Sequence, residues 1–61
     1  MMNQKQIGRY IAEKRRIKNL TQAQLAEQLG ISDKTVSKWE CGRSMPDYAL
    51  IQSLCETLDI S

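Results

Sequence analysis

The chain has no histidine, no phenylalanine, a single valine, a single proline and only three glycines in 61 residues. Without histidine, neither a histidine-based catalytic set nor a zinc finger can be built. Cys41 and Cys55 are too few and too far apart for a thiolate metal site, and two reduced thiols are the expected state. No nucleophile stands at a recognisable spacing from a base, and no glycine-rich loop could cradle a phosphate. No catalytic residue, metal or cofactor is therefore expected, and the chain is not read as an enzyme. The apolar runs fall far short of a membrane span, and the opening MMNQKQIGRY lacks the basic and apolar regions of a secretory signal. A cytoplasmic protein with no membrane partner is expected.

What is present is an ordinary globular composition, 41% hydrophobic and 26% charged. Its length allows one domain, residues 1–61, at the small end of what one hydrophobic core sustains. The net charge of +2 hides an asymmetry. Residues 1–43 hold all nine basic side chains against four acidic ones, whereas residues 44–61 hold Asp47, Glu56 and Asp59 with no base. A basic lobe of this kind suits a polyanion, although solvating charge on small helices would look the same by count.

Period-2 strand patterns are missing and period-3.6 patterns recur, so the fold class is all-α. Four helices are expected, over about 3–18, 21–29, 32–41 and 47–59. In the first, Ile7 and Ile11 lie one turn apart, Lys14 and Arg15 continue the stripe, and Asn19 can close the helix in the left-handed region. Thr21 and Gln24 have capping-box spacing, with Leu20 and Leu25 as a hydrophobic staple. The same grammar repeats after Gly30, where Ser32 is the N-cap and Ile31 faces Val36. Gly42 ends the third helix, and Pro46 precedes Asp47, the N-cap of the fourth. Leu50, Ile51, Leu54, Cys55 and Leu58 make a broad core-facing stripe there, with Met45 and Tyr48 packing at its edge.

Wound at about 100° per residue, the third helix sets Val36, Trp39 and Glu40 on one side and Lys34, Ser37 and Lys38 on the other. Trp39 is a core residue by this spacing rather than a base-stacking platform. Two helices joined by a tight glycine-containing turn are the pattern in which the second helix enters the DNA major groove. Asp33, Lys34, Ser37 and Lys38 would then meet the base edges: lysine donates to guanine, serine to several bases, and aspartate accepts from cytosine.

The segment TQAQLAEQLGISDKTVSKWECG resembles the helix-turn-helix of the phage-repressor and Cro-like regulators, the xenobiotic-response-element (XRE) family of bacterial transcription factors. The likeness runs from Ile7 to Ser61 and includes Ile7-Gly8, the turn LGIS and the closing PDYALIQSLCETLDIS. It implies a lambda-repressor-like fold of five helices, of which only four are visible here. It also implies a free-standing domain or the head of a longer regulator, and a sequence-specific role on a double-stranded DNA operator, expected to be that of a repressor. In relatives an arginine late in the first helix pairs with a glutamate ending the third, so the resemblance pairs Arg15 with Glu40, as a carboxylate facing the core requires. Relatives use the glutamine after the second N-cap for the DNA backbone, where helix amides and dipole favour a phosphate. Gln22 occupies that position, and Thr21, Ser32, Thr35 and Arg43 join it as phosphate candidates.

Arg9, Arg16 and Lys18 are read first as solvating charges. Lys14 stands where the family usually has an aliphatic residue, so its stem should pack while its amine reaches solvent. Cys41 replaces the common Asn or Arg. A homodimer on palindromic DNA is implied, with a monomer or weak dimer in free solution, because the end of the fourth helix offers little apolar surface beyond Ile60. No small-molecule ligand is expected. The alternative is a protein-interaction module that kept the fold without binding DNA, docking through the acidic fourth helix; Lys34 and Lys38 argue against it.

Overall fold

The computed structural model describes residues 3–60. Four helices follow in order, α1 (Gln4–Ile17), α2 (Gln22–Leu29), α3 (Asp33–Glu40) and α4 (Tyr48–Leu58), with no strand among the described residues. The expected spans differ from these only by counting the caps. Among the described residues, no helix is long and apolar enough to cross a membrane.

Side-chain caps begin every helix. Thr21 and Gln24 form the expected capping box, Ser32 accepts from the Thr35 amide, and Asp47 accepts from the Leu50 amide. Asn3 and Gln6 form a second box of the same spacing at the start of α1, which the sequence reading passed over. Lys14, Arg15 and Arg16 occupy the last turn of α1, opposite in sign to its dipole end, and Asn19 closes the segment at φ 59°. Gly30, at φ 71°, makes the turn that throws α3 across α2; a β-branched residue could not adopt it.

Leu25 and Val36 are fully buried at the centre, surrounded by Ile11, Ala26, Trp39, Leu54 and Leu58. Trp39, only 2% exposed, is core as its spacing indicates. Gly8 sets how closely α1 meets α3, since a Cβ there would strike the Trp39 carbonyl oxygen and come within 3.0 Å of that of Glu40. That approach, two turns before Arg15 on the same face of α1, brings the guanidinium within reach of Glu40.

Three surface details depart from the sequence reading. Ile51 is 38% exposed and Cys55 is only half-buried, because α4 turns the Leu54–Leu58 edge inward and leaves its neighbours at the rim. Tyr48, expected as edge packing, is 76% exposed. Ile51 and Cys55 instead line a shallow apolar groove with Tyr10, Met45, Pro46 and Ile60, so this end carries more apolar surface than Ile60 alone. Lys14 is half-buried as expected, and its ammonium lies over the Tyr10 ring, 5.4 Å from the centroid.

Candidate nucleic-acid interface

The geometry of α3 follows from its two buried residues. With Val36 at 0% and Trp39 at 2% exposure against the core, the opposite arc of this eight-residue helix must face out. Asp33, Lys34 and Lys38 are exposed on it and Ser37 is partly so. Lys34 and Lys38 stand one turn apart, a like-charge spacing that disfavours an isolated helix slightly and favours a polyanion lying along it.

Around this arc lie the other candidates. Ser32 and Thr35 are tied to each other, their hydroxyl oxygens 3.0 Å apart, while Ser32 Oγ also accepts from the Thr35 amide. One hydroxyl hydrogen of the pair is left to donate outward. Thr21 Oγ1 accepts from the Gln24 amide and keeps its own hydrogen. Arg43 is exposed in the loop after α3, and its amide donates to the Lys38 carbonyl at 2.9 Å. Gln4 Nε2 donates to the Gly42 carbonyl at 2.8 Å, pinning the loop to the start of α1.

Arg15 and Glu40 form the anticipated pair. Arg15 Nε donates to Glu40 Oε2 at 2.7 Å and Nη2 to Oε1 at 3.0 Å, a two-point fork, with the side chains 11% and 7% exposed. Nη1 donates to the Leu20 carbonyl at 2.7 Å, so one guanidinium joins α1, the α1–α2 connection and the end of α3. The bond to Glu40 raises the arginine above its ordinary range, burial opposes this, and the charge of Glu40 adds to it.

Gln22 is not splayed into solvent as a freely reaching backbone contact would be. It is partly buried, and its Nε2 donates to Glu40 Oε1 at 2.9 Å. Arg9, Glu13, Arg16 and Cys41 border the open cleft that Gln22 and Glu40 line, placing two more cations and one more acid beside α2. Both thiols are free, Cys41 exposed and Cys55 partly covered. The bond from Gln22 to Glu40 is the feature that sequence reasoning missed. Its only signal was the valence of the carboxylate, which can accept more bonds than one arginine donates.

The helix-turn-helix family matches residues 11–61, spanning α2, its turn and α3. The chain belongs to that family. Among its relatives are the HTH-type transcriptional activator BcrR of Enterococcus faecalis, 41% identical over 44 residues, and the cryptic phage CTXphi transcriptional repressor RstR of Vibrio cholerae, 35% identical over 51. These alignments cover 72% and 84% of this chain but 22% and 46% of the relatives, so the helix-turn-helix spans less than half of either. The crystal structure of the restriction-modification controller protein C.AhdI from Aeromonas hydrophila superposes with a TM-score of 0.86 at 30% identity, over 93% of this chain and 83% of that one. Helix-turn-helix regulators as a class bind double-stranded DNA, and the two relatives are by name a transcriptional activator and a transcriptional repressor.

Proposed function

We propose that α3 lies in the major groove and reads base edges through Asp33, Lys34, Ser37 and Lys38, while Thr21, Gln22, Ser32, Thr35 and Arg43 hold the flanking phosphates. The observation that carries this reading is the exposed Lys34 and Lys38 directly opposite an edge of α3 that is fully buried. Eight residues of helix span about 12 Å, comparable with the width of the groove they would enter. Phosphate contacts set register, and the groove-facing side chains select sequence.

The domain works in the cytoplasm, and two copies occupy paired half-sites about 34 to 36 Å apart while remaining monomeric or weakly dimeric without DNA. Its output is repression, because a domain seated on an operator excludes other proteins by occupancy alone. One relative is by name an activator and another a repressor, so a promoter fused to a reporter decides this point. For the binding itself, selection from a random duplex pool should enrich one half-site. Enrichment of nothing would favour the interaction module over the DNA reader.

A further inference from the structure

We infer that Glu40 is a positioning residue for the DNA-backbone contact of Gln22, an inference that rests on the duplex-binding reading above. Glu40 Oε1 accepts from both Arg15 Nη2, at 3.0 Å, and Gln22 Nε2, at 2.9 Å. An ionised carboxylate only accepts, so the nitrogen edge of the Gln22 amide must face it and the carbonyl edge must turn away. One N–H of that amide is spent on Glu40. The other leaves the same nitrogen about 120° away in the amide plane, available to an oxygen acceptor beside the N-terminus of α2.

Glu40 in turn cannot swing, because Arg15 grips both of its oxygens and is itself fixed to the Leu20 carbonyl just before α2. The same fork balances the carboxylate charge, so a phosphate approaching Gln22 meets a neutralised pair. A chain of bonds thus runs from α1 through the last residue of α3 to the first residue of α2, and ends in a pre-aimed donor. An unheld glutamine would lose rotamer freedom on binding and would present either edge of its amide. Pre-aiming is worth a few-fold to about tenfold in affinity on that basis.

The test is a double-mutant cycle on a duplex taken from the selection, using Gln22→Met, Glu40→Gln and both together. Gln22→Met should weaken binding about five- to tenfold in the parent and less than about twofold beside Glu40→Gln, where Arg15 competes for the one remaining acceptor oxygen and the new NH2 group lets either edge of the Gln22 amide face position 40. Equal losses in the two backgrounds overturn the inference while leaving the domain a DNA reader. A parent that binds no duplex overturns the DNA reading, and the positioning role with it. Because Glu40→Gln can loosen the fold, the side-chain NH2 of Gln22 is also followed by NMR in the unsubstituted protein. The two protons, resolved in any primary amide because its C–N bond turns slowly, should behave differently, one slow to exchange and little moved by duplex, the other shifting on its addition. Two protons that exchange alike and shift together would overturn the inference.

Discussion

Replacing Arg15 with Met should cost this domain much of its stability, and the magnitude follows from what the guanidinium holds. Three donors disappear at once, two from Glu40 and one from the Leu20 carbonyl, while the carboxylate stays in a site where it is only 7% exposed. Breaking a buried ion pair from one side costs roughly 3 to 5 kcal/mol. The Gln22 amide still donates to Glu40, which places the expected loss at the lower end, about 3 kcal/mol. A chain of this length has about 3 to 9 kcal/mol in total, so the loss takes a third or more of it. At about 4 to 8 °C per kcal/mol for a domain this small, the melting midpoint should fall by about 12 to 24 °C. Thermal melts followed by circular dichroism and by Trp39 fluorescence measure it. Arg15→Met/Glu40→Leu removes the stranded charge and should recover much of the loss; a double variant no better than the single one would show that the carboxylate is not the cause. A single variant melting within about a degree or two of the parent would refute the buried-pair argument altogether. Arginine raised in the folded state contributes stability that is complete below its unfolded value and lost only as pH rises through its folded one. The arginine side of the pair therefore predicts no change in the melt across neutral pH.

The remaining expectations concern the interface and the packing. Lys34→Ala and Lys38→Ala should change which bases a selection enriches, whereas Arg43→Ala should weaken all duplexes alike and reduce the slope of log K against log salt by about 1; unchanged preference in both lysine variants would remove the reading of α3. Gly8→Ala should sharply lower the melting midpoint, because the added methyl meets backbone oxygen of α3 rather than a side chain that can move, and a parent-like melt would show that the helices can separate freely. Sedimentation at near-millimolar protein should show a particle close to the 7.0 kDa chain mass, with two copies taken up by a palindromic duplex; a tight dimer without DNA would instead implicate the apolar groove between Tyr10 and Ile51.

Local chemistry made most of the fold legible. A capping residue is readable because its partner lies three positions away, and the capping box at Thr21 and the N-cap at Ser32, with the glycine between them, announced two short helices and an abrupt turn. The same rule would have found Asn3 and Gln6. Burial was less legible where two apolar residues stand side by side: Leu50 and Ile51, or Leu54 and Cys55, point about 100° apart, so the pattern names a stripe without saying which edge goes inward. Tertiary contact with α2 decided that, and it left Ile51 outside.

The proposed interface divides along the same line. The outward placement of Lys34, Ser37 and Lys38 was readable because a helix with two buried residues has only one other face, and periodicity supplies it. The use of Gln22 was not, since 18 positions separate it from Glu40 and no periodicity connects two helices. What linked them is a counting argument about a buried acid. Arginine satisfies only part of a carboxylate's capacity, the rest must be met by water or another donor, and the position shielded from water lies where α3 ends against the start of α2. Glutamine can meet that demand and still keep one hydrogen for a phosphate, whereas a lysine in the same place would bring a full charge and no fixed plane. The residue type at position 22 is thus set from two sides, by the acid it must satisfy within the fold and by the anion it is proposed to meet outside it.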